Sequence, residues 1–185
     1  MPRRPDPELE ERILDAAQEL WGVGGEHALR MRAVADRAGS HTPLIYTRFK
    51  DKEALLRALR LRVVARLRAR LSAPATSIRD GLNRYLDFAA ERPFEYRLLF
   101  GSGFRQRVTP GEPALLLVVQ AALAGMYGGD PSSYRPTALS IWALSHGAAM
   151  LQNEVNDIVG FQQELRDACL DACERIAAGA AVREP

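Results

Sequence analysis

The chain has 185 residues, a length that allows one large domain or two small ones without metal or disulfide staples. Hydrophobic residues make up 47% and charged residues 26%, a balance that excludes a disordered chain and is typical of a globular one. Two cysteines do not make a disulfide scaffold, and the longest apolar stretch, 114–125, is too short to span a bilayer. The first twelve residues are too polar for a signal peptide, so a cytoplasmic protein is expected.

The formal net charge of +2 conceals an asymmetry along the chain. Residues 1–71 hold 15 Lys and Arg against 10 Asp and Glu, whereas residues 72–185 hold 10 against 13. A basic N-terminal part indicates contact with a polyanion, although solvated helix faces produce differences of the same size.

The hydrophobic periodicity is helical from the first residues onward. Asp6 and Pro7 are typical of a helix start, and Gly22, Gly24 and Gly25 predict the end of that helix. The predicted helices of the basic part cover about 7–21, 31–38, 42–49 and 52–71.

The second part has the same helical character. Its predicted helices cover about 77–91, 93–100, 113–127, 131–152 and 161–178. Ser77 or Thr76 is predicted to open the first of these, and Asp130 and Pro131 to cap the fourth. In the basic part, Asp51 is the predicted cap of the helix at 52–71. No segment alternates with a period of two, so we predict an all-α fold of about nine helices. A three-helix, helix-turn-helix DNA-binding domain is predicted over 1–56, and a helical effector-binding and dimerisation domain over 57–185.

Residues 32–49 have the pattern of a DNA-binding helix-turn-helix. Two short helices bury one apolar face each, and Gly39 supplies the left-handed residue of the turn between them. The second helix is short enough for the major groove, and its polar and aromatic side chains suit base edges and phosphates. An ordinary helical hairpin has the same pattern. The predicted DNA-binding residues are His41, Thr42, Pro43, Leu44, Tyr46, Thr47, Arg48 and Lys52.

The residues that flank this motif favour DNA binding over an ordinary helical hairpin. Arg3 and Arg4 are suited to an arm on the DNA backbone, and Lys52 at the start of the next helix is suited to a phosphate. His41 has two interpretations, as a contact to a base or phosphate or as an exposed loop histidine.

The first third of the chain contains two characteristic segments, RILDAAQELW and GSHTPLIYTRFKDKEALLRAL. Together they resemble the DNA-binding domain of TetR-type transcriptional repressors. The matching positions are Ile13, Leu14, Ala16, Ala17, Leu20, Trp21, Val34, Ala35, Ala38, Gly39, Ile45, Tyr46, Phe49, Lys52, Glu53 and Leu55. The resemblance implies a helical C-terminal body that forms a homodimer and often holds an inducer.

Two stretches of the body resemble a subgroup of these regulators with a Trp-His-Gly signature. They are RPFEYRLLFG at 92–101 and the segment from Trp142 to His146 and Gly147. Trp142, His146 and Met150 share one helix face, and a cavity of apolar and aromatic side chains suits a small effector. A dry core with one satisfied histidine is the alternative. The predicted effector pocket is Phe88, Tyr96, Phe100, Phe104, Tyr127, Trp142, His146 and Met150.

The last two predicted helices carry stripes of small and apolar residues. Such stripes suit an intersubunit four-helix bundle, and intramolecular packing alone is the alternative. Cys169 and Cys173 are four residues apart on a helix, a spacing that favours packing over a disulfide, and no metal site is evident around them.

The function predicted from these patterns is sequence-specific DNA binding by a transcriptional repressor. A palindromic double-stranded operator, a small apolar effector of unknown identity and a second copy of the chain are its expected partners, with no membrane, cofactor, metal or catalytic residue. His27, His41 and His146 lie in no enzyme motif. A constitutive regulator without inducer and a helical carrier of small molecules are the alternatives.

Overall fold

The computed structural model describes residues 8–73, 77–101, 114–155 and 159–181. Within these ranges every regular element is helical, so the predicted all-α class is confirmed. The α-helices are α1 (Leu9–Ala28), α2 (Met31–Arg37), α3 (Thr42–Tyr46), α4 (Lys52–Ser72), α5 (Ile78–Glu91), α6 (Pro93–Phe100), α7 (Ala114–Tyr127), α8 (Arg135–Glu154) and α9 (Phe161–Ala181). The predicted arm at Arg3 and Arg4, the cap at Asp6 and Pro7, and Phe104 lie outside the described residues.

The helix break predicted at the glycine cluster lies at Gly25. The helix continues through Gly22 and Gly24, and its helical backbone is interrupted at Gly25, where φ is 58° and ψ is −140°, before a last short stretch to Ala28. The kink brings the Gly25 backbone against the ring of Phe94, because a Cβ at this position would lie 3.0 Å from Phe94 Cδ1. Of the three glycines, Gly25 therefore interrupts the helix, and it does so against a neighbouring ring.

The turn between α2 and α3 has the predicted form. Gly39 has φ 62°, its N–H donates to Asp36 O, and the Ser40 N–H donates to Ala35 O, which is a Schellman motif. Helix α3 ends at Tyr46, three residues before the predicted end. The chain turns after Tyr46 to reach the residue that caps the start of α4. That cap is the predicted one, since the Asp51 carboxylate accepts from Ala54 N at 2.7 Å.

The described residues form two compact units. The N-terminal unit contains residues 8–65 and 94–101, and the body contains residues 66–73, 77–93, 114–155 and 159–181. The α4 helix contributes to both units. The domain boundary between residues 56 and 57 stays a prediction.

The N-terminal unit has its core where α1, α2 and α3 meet. α2 packs on α1 and on α3, and the side chains of Ile13, Val34 and Ile45 are fully buried there. Short α6 is also part of this unit. Trp21 Nε1 donates to Phe94 O at 2.6 Å, and Arg60 Nε donates to Leu98 O at 3.0 Å. These two bonds fix α6 to α1 and to α4.

The body is built around α8, which packs on α5, α7 and α9. The predicted cap at Ser77 is confirmed, because its Oγ accepts from Asp80 N at 3.2 Å. The predicted cap at Asp130 opens a 3₁₀ turn, Pro131–Tyr134, and not α8 itself, which begins at Arg135. The proline at the start of this turn lacks an N–H, and the Asp130 carboxylate accepts from Ser132 N at 2.7 Å.

Ion pairs tie α9 to α5 within the body. Arg79 binds the carboxylates of Asp171 and Glu174, and Arg166 Nη2 lies 2.6 Å from Asp87 Oδ1. Among the helices described, none combines the length and apolar character needed to cross a membrane.

Candidate functional sites

The α3 helix presents its polar face to solvent and buries the opposite face. Ile45 is 0% exposed and Phe49 5%, so these two side chains hold the segment on the core. Tyr46 is 48% exposed, and His41, Pro43, Thr47 and Arg48 are also exposed, whereas Thr42 and Leu44 are half-buried. All seven predicted DNA-binding residues on this segment therefore have surface available to a partner.

His41 occupies the N-cap position of α3. Its backbone is extended, with φ −128° and ψ 147°, and its side chain makes no capping hydrogen bond. The imidazole is exposed and does not cap the helix, so it is accessible to a partner. Thr47 differs, because its hydroxyl donates to Leu44 O at 2.7 Å, which leaves the oxygen as an acceptor facing solvent.

Lys52 stands at the first position of α4 and is held by an acidic neighbour. Its Nζ lies 3.5 Å from Glu26 Oε1 and 3.4 Å from Glu26 O, with both side chains partly exposed. An exposed pair of this kind contributes about 0–1 kcal/mol, so a phosphate can replace Glu26 without a large loss.

The body contains an apolar cavity between α5, α7, α8 and the C-terminal end of α4. Its volume is about 60 Å³. The lining residues are Leu71, Ser77, Ile78, Gly81, Leu82, Tyr85, Val118, Val119, Ala122, Met126, Ile141, Trp142 and Ser145. Two of the hydroxyl groups are already used by the helices, since Ser77 accepts from Asp80 N and Ser145 donates to Ile141 O at 2.8 Å. Among the described lining residues, the remaining polar side-chain groups are the Tyr85 hydroxyl and the Trp142 indole N–H, and the rest of the wall is apolar.

A larger surface groove of about 700 Å³ adjoins this cavity. The groove is lined by Arg68, Leu71, Ser72, Ala73, Leu117, Val118, Ala121, Ala122, Gly125 and Met126. Four of these residues also line the cavity, namely Leu71, Val118, Ala122 and Met126. The cavity and the groove are therefore neighbours that share part of their walls.

Three of the predicted pocket residues lie on one side of α8. Trp142 lines the cavity, and its ring centroid lies 6.4 Å from that of His146. The Tyr85 hydroxyl, on the cavity wall, lies 3.5 Å from His146 Nδ1. Burial lowers the pKa of His146 below its ordinary value of 6.5, which favours the neutral ring. Met150 is half-buried one turn further along.

The other predicted pocket residues lie elsewhere. Phe88 is fully buried in the body, and Tyr127 ends α7 in a half-buried position. Neither lines the cavity described above. Tyr96 and Phe100 belong to the N-terminal unit, where their ring centroids lie 4.8 Å apart. The predicted pocket as a set stays a prediction.

Sequence reasoning missed most of the cavity wall. The aliphatic residues of α7 and the α5 positions at Gly81, Leu82 and Tyr85 were not singled out. Their spacing predicts that these residues lie on the buried faces of their helices. Spacing alone does not distinguish residues that line a cavity from residues packed in a core without a cavity.

Both cysteines are buried free thiols in α9. A hydrogen bond with Cys169 and burial both raise the pKa of Cys173, so this thiol stays protonated. Across the described side chains, no group of three or more His, Cys, Asp or Glu is arranged to hold a metal ion.

The helical fold with an exposed second helix after a glycine turn defines a helix-turn-helix protein. Residues 13–59 match the family described as bacterial regulatory proteins, tetR family. Residues 78–173 match the domain described as tetracyclin repressor-like, C-terminal domain. The chain therefore belongs to the tetR family of DNA-binding transcriptional regulators.

A regulator of Mycolicibacterium smegmatis is similar to this chain over about half of its length. The HTH-type transcriptional activator FasR of that organism is 30% identical over an alignment of 109 residues, which covers 55% of this chain and 50% of FasR. The chain thus spans about half the length of this curated relative over the matched region.

Solved structures share the fold. A tetR-family regulator from Streptomyces coelicolor superimposes with a TM-score of 0.75 and 21% identity, over 97% of this chain and 84% of the other. A variant of the TetR of Acinetobacter baumannii AYE, in complex with minocycline, gives a TM-score of 0.62 and 20% identity over 90% and 93%.

Proposed function

We propose that the chain is a dimeric repressor that binds a palindromic operator through α3 and leaves it when an apolar small molecule occupies the body cavity. The observation that carries the proposal is the exposed face of α3, with Tyr46 at its centre and Ile45 and Phe49 fixed beneath it. Family membership supplies the DNA-binding class, and the residues that touch DNA and the effector are the proposed part.

The proposed DNA contacts divide into two kinds. Tyr46, Thr42 and Leu44 are placed on α3 to meet base edges in the major groove. His41, Arg48 and Lys52 lie at the helix ends, where they suit phosphates, and Pro43 and Thr47 complete the contact surface. Direct base contacts would provide specificity, and the cations would make the affinity depend on salt.

Dimerisation is proposed through unpartnered apolar residues on α8 and α9. Leu139, Leu144 and Leu151 on α8 are 40%, 38% and 44% exposed. Ala168 and Gly179 on α9 are exposed small residues that allow close helix approach. Two such helices from each copy form a four-helix bundle with twofold symmetry, which matches a palindrome.

The effector is proposed to bind the cavity under Trp142. Its binding free energy favours one conformation of the body, and release from DNA is limited by the difference in effector affinity between the two conformations. The Acinetobacter protein complexed with minocycline is a regulator of this fold with a bound small molecule. Membership of the Trp-His-Gly subgroup stays part of this proposal.

The first experiment measures binding to DNA fragments flanking the chain's own coding region, as a function of salt. We expect tight binding to one palindrome, weakened steeply by salt, and a loss of about tenfold or more in Tyr46→Ala. Leu61→Ala is the matched control, because Leu61 is an exposed apolar residue on α4 of the same unit. Weak, sequence-blind binding that Tyr46→Ala leaves unchanged would contradict the proposal.

A promoter–reporter assay with the identified operator tests the sign of regulation. Repression by the free protein is the expected result, and activation would place the chain with FasR, whose name describes an activator. Operator affinity unchanged by any cavity ligand would favour a constitutive regulator. Ligand binding without DNA affinity would favour the carrier.

A further inference from the structure

Of the described residues that line the groove beside the body cavity, one is charged. This residue is Arg68, which is exposed on α4. Within the part of the chain that the structure describes, its guanidinium has no hydrogen bond or ion pair. Arg70, two residues further on, is by contrast bound to Glu91 through two hydrogen bonds of 2.7 and 3.1 Å. Arg68 is therefore a cation available to a ligand.

The volumes determine the shape of a ligand for this space. The cavity of about 60 Å³ is far smaller than the roughly 300–1,000 Å³ of ordinary ligand pockets, so it accepts only the end of a molecule. The adjoining groove of about 700 Å³ holds the remainder. Because Leu71, Val118, Ala122 and Met126 line both spaces, a fitting ligand is elongated and passes these side chains.

We propose that the effector is a linear aliphatic carboxylate. Its chain end fills the cavity beside Trp142, and its carboxylate binds Arg68 at the groove. This assignment rests on the proposed function of the cavity as an effector site, and it adds the chemical class of the effector.

The charge of the lining favours an anion over a cation or a neutral molecule. Among the described residues that line the cavity and the groove, none is Asp or Glu, so a cationic ligand meets no counter-charge from them and is repelled by Arg68. A guanidinium binds a carboxylate through two parallel hydrogen bonds, and the Ser72 hydroxyl lies one helical turn beyond Arg68 as a further donor.

The side chains between Arg68 and the cavity favour an aliphatic chain. Val118, Ala122 and Met126 are small or flexible apolar residues on α7, and Gly125 beside them has no side chain at all. A flexible alkyl chain adapts to such a narrow wall, and each CH₂ group that it buries adds to the affinity through the hydrophobic effect.

The test is isothermal titration calorimetry on the full chain without DNA. The probes are decanoate, the neutral decanol and the cationic decyltrimethylammonium, all below their micelle concentrations. We expect decanoate to bind about tenfold more tightly than decanol, the cation to bind more weakly than both, and added salt to weaken only the decanoate complex.

Three variants identify the site. Arg68→Gln is expected to reduce decanoate affinity about tenfold, to the level of decanol. Arg66→Gln is the matched control, because it removes the same charge from the same helix at a residue outside the groove lining. Gly81→Leu is expected to abolish binding of all probes, since Gly81 lines the cavity and a Cβ there meets no atom within 4 Å.

The outcomes separate this inference from the proposed function. Equal affinities for decanoate and decanol, or an Arg68→Gln effect no larger than that of Arg66→Gln, would overturn the carboxylate assignment. Binding that survives Gly81→Leu would overturn the location, and an absence of binding by every probe would overturn both. Operator binding is measured separately, and its failure would contradict the regulator instead.

Discussion

Gly25 shows how one residue without a side chain shapes the N-terminal unit. Its φ of 58° with ψ of −140° is strained for any other residue, and Phe94 Cδ1 occupies the space of a Cβ at 3.0 Å. We expect Gly25→Ala to lower the free energy of unfolding by about 2 kcal/mol, measured by urea titration.

Gly22 provides the matched control in the same helix. It is exposed, has no positive φ, and a Cβ there meets no atom within 4 Å. Gly22→Ala is therefore expected to stabilise the chain by about 0.5–1 kcal/mol. If both variants are stabilised alike, the kink is not required by the fold.

His146 gives the body a pH dependence whose sign follows from its burial. Its pKa in the folded state lies below the unfolded value of 6.5, so the unfolded chain binds more protons as the pH falls below that value. Stability is then full above pH 6.5 and decreases below it, until the pH reaches the lowered pKa of the folded state. We expect wild type to lose more stability between pH 7.5 and 5.5 than His146→Gln does, by urea unfolding.

The carboxylates titrate outside this window. Hydrogen bonds from Arg70 and Arg79 lower the pKa of Glu91 and of Glu174 below 4.5, so their contributions are lost only as the pH falls below that value. His27→Gln, a change at an exposed histidine, is the control. Equal losses of stability in wild type and in His146→Gln between pH 7.5 and 5.5 would contradict the proposal that the burial of His146 causes the pH dependence.

At the scale of the helix, ends set by local chemistry were predictable and ends set by distant contacts were not. Ser77, Asp51 and Gly39 act through hydrogen bonds or dihedrals within a few residues, and all three were identified from sequence. The glycine cluster predicts a break in α1, but the break lies at Gly25, against Phe94 69 residues away, so no local pattern selects Gly25 over Gly22 or Gly24.

The candidate sites follow the same division. The exposed face of α3 could be predicted because one short helix and its periodicity determine which residues face solvent. The cavity wall is assembled from four helices, and of the seven predicted pocket residues that the structure describes, Trp142 alone belongs to it. Most of the other pocket residues are predicted because they are aromatic, whereas the residues that line the cavity are mostly aliphatic.

The cap of α5 is a testable element because Ser77 both starts that helix and lines the cavity. Removal of its hydroxyl in Ser77→Ala leaves Asp80 N without its acceptor, and we expect a loss of about 1 kcal/mol in the free energy of unfolding. Ser77→Asn keeps a capping oxygen and is expected to recover most of that loss. Equal losses in the two variants, measured by urea titration, would show that the cavity wall and not the cap is responsible.

For the whole molecule, the proposed function places its two activities in different units. The α3 face lies in the N-terminal unit and the cavity lies in the body. If an effector lowers operator affinity by some factor, the operator lowers effector affinity by the same factor, because the coupling free energy is shared. The coupling free energy can therefore be measured in two ways: from the effect of the effector on operator affinity, or from the effect of the operator on effector affinity.

Dimerisation is the property of the whole molecule on which the affinity for a palindrome depends. Leu151→Glu introduces a charge into an apolar surface of α8 that is 44% exposed in the single chain, so folding is expected to persist while self-association is lost. Sedimentation equilibrium is expected to change from dimer to monomer. Operator affinity is expected to fall at least a hundredfold. A monomer binds one half-site, and it lacks the increase in affinity that a dimer obtains by binding both half-sites at once.

Leu61→Glu is the control for the added charge, since Leu61 on α4 is 69% exposed and lies in the N-terminal unit. It is expected to remain a dimer. If Leu151→Glu also sediments as a dimer, the stripe on α8 packs only within its own chain. The twofold arrangement of the two α3 helices would then need another interface.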